Sequence, residues 1–232
     1  MPRQGRAPLP HALHLESLME RIEIETGQKP DAAVIWLHGL GADGHDFEPI
    51  VPELRLAKPV RFVFPHAPIQ PVTINGGMRM RAWYDIFQLG GGPEDEAGIR
   101  ASQGFLENLI LKEAGRGIAP GRIVLAGFSQ GGAIVLQTAL RHAERLAGVL
   151  ALSTYLPLAQ TLEREAASAN AALPIFMAHG RFDDVIPIQR AQASREALEK
   201  LGYKVQWHEY PMPHSVCAEE IADISAFLST IL

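Results

Sequence analysis

Seven short runs rich in Val, Ile and Leu recur along this chain, at residues 21–25, 33–37, 60–64, 122–126, 148–152, 174–178 and 204–209. Most lack polar alternation, which suits strands buried on both faces and therefore covered by helices above and below. Helical patterns, with apolar residues three and four positions apart, occupy 97–112, 131–142, 188–201 and 218–231. The alternation predicts an α/β fold with a mostly parallel central sheet of about seven strands flanked by helices. A chain of 232 residues, 47% hydrophobic, can bury one sizeable core, so residues 18–232 are expected to form a single domain. Residues 1–17 mix Pro2, Pro8 and Pro10 with Arg3, Arg6, His11 and His14 and contain no continuous apolar stretch, so they read as a flexible tail. Residues 65–93 form the longest irregular region, with Asn75-Gly76-Gly77 and Gly90-Gly91-Gly92-Pro93; loops of this length commonly carry function.

Charge narrows the partners. The 21 basic and 26 acidic side chains give a net charge of -5 without a block of one sign, which argues against nucleic acid. No stretch approaches the roughly 18 apolar residues of a membrane span, so stable membrane insertion is not expected. Cys217 is the only cysteine, which excludes an intrachain disulfide and fits a reducing compartment, the cytoplasm being the simplest expectation.

The run Ile123-Val124-Leu125-Ala126 leads directly into Gly127-Phe128-Ser129-Gln130-Gly131-Gly132, and a helical pattern follows. Strand, G-x-S-x-G, helix is the pattern of a nucleophile elbow, a turn so sharp that the residues flanking the serine must be small. The helix behind it would aim N–H groups and the positive end of its dipole at the serine. A phosphate-binding loop fits poorly, because neither the G-x-x-x-x-G-K-[ST] spacing nor its lysine is present.

A serine hydroxyl needs a base to take its proton and an acid to orient that base. Downstream, residues 174–178 run into His179-Gly180-Arg181-Phe182-Asp183-Asp184, and 204–209 run into Tyr210-Pro211-Met212-Pro213-His214. Parallel strands bring such loops to one edge of the sheet, and the order Ser, Asp, His is that of the α/β-hydrolase arrangement. Position alone does not choose between Asp183 and Asp184. His214 stands out among nine histidines by following the last strand, whereas His179 reads as support for its loop, and Ser153 as structure or pocket wall.

Two other chemistries deserve weighing. Gly39-Leu40-Gly41-Ala42-Asp43-Gly44 matches G-x-G-x-x-G after a strand, which makes a nucleotide-binding enzyme using Gly39, Gly41 and Gly44 the remote alternative. The acidic residue that would bind ribose about 20 positions later is missing, since Arg61-Phe62-Val63-Phe64 ends in Pro65-His66. The same loop, read as His38-Gly39-Leu40-Gly41, would supply the second N–H of an oxyanion hole. A zinc site drawn from His38, His45, His66, Asp43 and Asp46 lacks any helical ligand spacing. No metal or organic cofactor is expected.

From about Val34 to the C-terminus the chain resembles the bacterial carboxylesterases of the phospholipase/carboxylesterase group, which also includes acyl-protein thioesterases and lysophospholipases. The motifs carrying the resemblance are Leu37-His38-Gly39-Leu40-Gly41, Pro65-His66-Ala67-Pro68, Arg81-Ala82-Trp83-Tyr84-Asp85, the Gly127 to Gly132 turn, His179-Gly180 with Asp183, and Pro213-His214. The resemblance implies the α/β-hydrolase fold without a large cap domain and a Ser129, Asp183, His214 triad. It places the acid at Asp183 through an H-G-x-x-D-x-x-V-P pattern in which this chain has Ile186 where Val is usual. It further implies an oxyanion hole from the Leu40 and Gln130 N–H groups, and Trp83, Tyr155 and Val185 near the acyl pocket. The expected substrates are short- to medium-chain esters, with lysolipids or acyl-protein thioesters as the alternative. A homodimer is an assembly the group often adopts. With no long insertion between strands, a shallow site fed by residues 65–93 is expected.

Overall fold

The computed structural model describes residues 20–88 and 91–232; the expected tail at 1–17 lies outside them. A seven-stranded sheet runs in the order β1-β3-β2-β6-β7-β8-β9. Its members are β1 (Arg21–Glu25), β2 (Ala32–Leu37), β3 (Val60–Pro65), β6 (Ile123–Phe128), β7 (Gly148–Leu152), β8 (Ile175–Gly180) and β9 (Val205–Tyr210). Only β1 is antiparallel, pairing with β3; all other neighbours are parallel. Among the described residues, five α-helices follow the strands: α1 (Glu96–Gly115), α2 (Gln130–Ala139), α3 (Ala159–Glu165), α4 (Ile188–Lys200) and α5 (Ala218–Ile231). The sheet and helices form an α/β-hydrolase fold.

The apolar runs are explained by burial on both faces of the sheet. All of β2 is buried, and its side chains alternate: Ala33, Ile35 and Leu37 join one core, while Ala32, Val34 and Trp36 join the other. The first core is closed by Leu106, Leu109 and Ile110 of α1, the apolar face of α2 and Leu198 of α4. The second is closed by Ile224, Phe227 and Leu228 of α5 and by Val51 and Leu54 of a 3-10 segment, Glu48–Leu54. A polar residue at any of these strand positions would lose its water on either face, which is why no alternation is visible. Among the described residues, no helix is long and apolar enough to cross a membrane.

Residues 65–93 depart from the expected irregular stretch. They contain a second sheet, the hairpin β4 (Ile69–Val72) and β5 (Met78–Arg81), turned by Asn75, Gly76 and Gly77. Gly76 and Gly77 have φ of 65° and 78°, a left-handed conformation that glycine adopts without a Cβ penalty. The hairpin escapes periodicity because its four-residue strands are largely solvent-exposed and one contains Pro71. Asp85 ties its turn to the body of the protein, accepting hydrogen bonds from the Thr73 N–H at 2.7 Å and the Thr73 hydroxyl at 2.5 Å.

Candidate active site

β6 ends at Phe128 and α2 begins at Gln130, leaving a single residue, Ser129, to make the turn. Its backbone sits at φ 55°, ψ -119°, strained for any residue with a side chain. The neighbours make the turn affordable in space. A Cβ on Gly127 would lie 2.5 Å from the Gly131 backbone, and one on Gly131 would lie 2.4 Å from the Leu37 carbonyl oxygen. Two bonds hold the strained peptide: the Ser129 N–H donates to Leu152 O at 2.9 Å, and the Thr154 hydroxyl donates to Ser129 O at 2.7 Å. The result is a serine hydroxyl held above the sheet edge, with the N-terminus of α2 directly behind it.

The loops after β8 and β9 meet that hydroxyl. His214 Nε2 lies 2.9 Å from Ser129 Oγ, and His214 Nδ1 lies 2.7 Å from Asp183 Oδ2. Facing a carboxylate, Nδ1 carries the proton, which leaves Nε2 as the acceptor toward the serine. Asp183 has a fully buried side chain, and its other oxygen accepts the Val185 and Ile186 N–H groups at 2.9 and 2.8 Å. Asp184 is exposed. His179 is fully buried, with Nε2 2.8 Å from Ile186 O and 3.2 Å from Asp183 Oδ2. Burial pushes its pKa down, so it serves as a neutral donor that fixes the acid loop. The acid and histidine loops are joined through the Arg181 N–H to Tyr210 O and the Phe182 N–H to Met212 O. Gly180 permits this approach, since a Cβ there would meet Met212 O at 2.3 Å.

Leu40 and Gln130 line the same groove as Ser129, and among the described residues neither backbone N–H donates to a protein acceptor. Both are free to bind a developing oxyanion. The Leu40 loop is anchored by His38, whose Nε2 accepts the Ala67 N–H at 3.0 Å while Nδ1 faces Gly39 O at 2.7 Å. Burial lowers the His38 pKa to about 4, which keeps this neutral tautomer in place at ordinary pH. The groove is open to solvent, and its wall includes Tyr84, Phe87, Tyr155, Val185 and Ile186.

Comparison with known proteins decides the family. Residues 19–232 match the family model described as Phospholipase/Carboxylesterase. The chain belongs to the phospholipase/carboxylesterase family. It is 44% identical over 209 residues to acyl-protein thioesterase 1 of Gibberella zeae, covering 85% of this chain and 89% of the relative. Among solved structures, Arabidopsis thaliana SOBER1 superposes with a TM-score of 0.82 at 29% identity, over 86% of this chain and 98% of that one. Acyl-protein thioesterase 2 of Zea mays gives 0.81 at 28% identity, over 91% and 98%. This family member is a serine hydrolase.

Within this family site, Trp83 adjoins the groove without lining its surface: it is buried behind the Leu40 loop, where its indole N–H donates to His38 O at 2.8 Å. The adjacent Tyr84 faces the groove instead, with Tyr155 beside it. The G-x-G-x-x-G loop is no nucleotide cradle either, because it leads into a 3-10 segment rather than a helix that could receive a pyrophosphate. Gly44 is required there because a Cβ would meet Phe64 O at 2.5 Å. His66 Nδ1 accepts the Gly44 N–H at 3.0 Å, and His45 pairs with Glu48 at 2.8 Å. These histidines, like His38, therefore act as loop anchors. Ser153 is wholly buried and does not reach the groove.

The Gln130 side chain is a function the sequence motif does not reveal. Its Oε1 accepts the Trp83 N–H at 2.8 Å, and its Nε2 donates to Tyr84 O at 2.7 Å, so the elbow grips the groove wall. Gln130→Ala keeps the backbone N–H but strands two buried backbone groups, which should cost about 1–3 kcal/mol in denaturant unfolding. It should also raise KM as the Tyr84 wall loosens.

Proposed function

We propose that this chain hydrolyses short- to medium-chain acyl esters and thioesters through an acyl-enzyme formed on Ser129. The observation that carries the reading is the unbroken hydrogen-bond chain from Asp183 through His214 to Ser129, beside two unoccupied backbone N–H groups. His214 Nε2 takes the Ser129 proton as Oγ attacks the acyl carbonyl, while Asp183 holds the imidazole and stabilises its charged form. The Leu40 and Gln130 N–H groups bind the oxyanion; removing one donor of this kind typically costs about 2.7–4 kcal/mol of transition-state stabilisation. Collapse expels the alcohol or thiol, protonated by His214. Water, deprotonated by His214 in turn, then releases the carboxylic acid and restores the serine.

The relatives named for acyl-protein thioesterase activity support a thioester leaving group alongside the oxygen ester. The open groove, bounded by the Tyr84 and Tyr155 side chains, supports short to medium acyl chains over bulky lipids. A panel of esters, thioesters and lysophospholipids of graded acyl length, compared by kcat/KM, tests the reading. Activity should peak at short or medium chains and include thioesters; a maximum at the longest chains, or on lysophospholipid alone, would refute the assignment of substrate.

A further inference from the structure

Arg190 lies in the first turn of α4 and lines the groove with Ser129, Tyr84 and Tyr155. Its guanidinium carbon stands 3.3 Å from the centre of the Tyr155 ring, and the Tyr155 hydroxyl is held 2.7 Å from that of Tyr84. Burial, then the neighbouring Tyr155 hydroxyl, raises the pKa of the Tyr84 phenol, so Tyr84 offers Arg190 no phenolate at neutral pH. A cation stacked in this way presents its face to the ring and leaves the N–H donors around its edge unused.

Those donors have no protein acceptor among the described residues. Other arginines do: Arg61 pairs with Glu25 and Glu113, Arg100 and Arg141 with Glu165, and Arg122 with Asp31. Of the carboxylates lining the groove, Asp85 accepts from Thr73, Asp95 accepts from Gly98 and from the Asp85 N–H, and Glu94 accepts the Leu158 N–H through Oε2 while its Oε1 is buried without a hydrogen-bond partner; none of the three hydrogen-bonds or ion-pairs with Arg190. Stacking on Tyr155 engages the face of the guanidinium and not its edge. Here the charge is half-buried beside Val185 and Ile186, where its pull on an anion exceeds that in open water.

We propose that Arg190 determines specificity by binding an anionic oxygen group, a carboxylate or a phosphate, carried by the substrate in the Ser129 groove. The planar edge donates two parallel N–H bonds to two oxygens of that group. The inference rests on the reading of Ser129 as the nucleophile of this groove. It adds a substrate class, acyl compounds bearing a negative charge on the acyl chain or the leaving group.

Two matched pairs test it. One sets a nitrophenyl hemi-ester of a dicarboxylic acid against the nitrophenyl ester of the uncharged acyl chain of equal length. The other sets a phosphate-bearing leaving group against an uncharged one, with the same acyl group. The readout is the ratio of kcat/KM, charged over neutral. In one arm or the other the ratio should fall by about tenfold in Arg190→Gln, and by less in Arg190→Lys, which keeps the charge but loses the planar fork. The ratio of the unaltered enzyme should also shrink with added salt. The responding arm tells which end of the substrate carries the anion. An unchanged ratio in both arms, or a parallel loss on charged and neutral substrates, would overturn the proposal. Should Arg190→Gln fail to fold, the Lys variant and the salt dependence give the same decision. Hydrolysis that persists in Ser129→Ala would instead overturn the nucleophile reading, so the two failures are distinct.

Discussion

Ser129→Ala should lower kcat by about 10⁴- to 10⁶-fold on every ester and thioester, leaving only what the oxyanion donors and binding contribute. The prediction is strong because the hydroxyl has no substitute within the site. His214 Nε2 would face a methyl group, and the nearby Ser153 is sealed in the interior with no path to the groove. Folding should be little affected, since alanine shares the strained φ of 55° and the Leu152 and Thr154 bonds both use the backbone of residue 129. The variant should retain its unfolding midpoint, show no burst of nitrophenol and resist labelling by a serine-reactive phosphonate. Near-normal turnover would transfer the nucleophile elsewhere and take the mechanism above with it.

What could be read from the sequence was whatever is local or periodic. The strands buried on both faces appear within about two residues of their observed limits, because uninterrupted Val, Ile and Leu leave little other choice. The elbow is legible for a related reason: Gly127 and Gly131 are demanded by backbone passing within 2.5 Å, so the geometry writes itself into residue type. The hairpin Ile69–Val72 and Met78–Arg81 was not legible, since exposed four-residue strands bury too little to leave a pattern. Nor could the sequence tell which ring of Trp83-Tyr84 faces the groove. That depends on the Gln130 side chain gripping the Trp83 N–H and the Tyr84 carbonyl from 46 or 47 residues away. Arg190 is invisible for the same reason, as its meaning comes from the Tyr155 ring beneath it.

The neighbouring carboxylates offer the sharpest test of the geometry. Asp183→Asn should reduce kcat by about 10⁴-fold near neutral pH, whereas Asp184→Asn should stay within about twofold, as an exposed substitution. The difference lies in hydrogen-bond direction. At Asp183, the Val185 and Ile186 N–H groups require an acceptor, so an asparagine there must turn its oxygen toward them. Its NH₂ then points at His214 Nδ1, which now donates to Asp183 Oδ2, and toward His179 Nε2, which lies 3.2 Å from that oxygen and donates to Ile186 O. His214 can relieve this clash by moving its proton to Nε2, which removes the acceptor that Ser129 needs. The histidine remains present and correctly placed, yet in the tautomer that cannot take a proton from serine. Raising the pH should therefore recover part of the Asp183→Asn rate, as deprotonation of the serine no longer relies on the imidazole. A large loss in Asp184→Asn with little in Asp183→Asn would exchange the two roles, and would be incompatible with a buried Asp183 2.7 Å from His214.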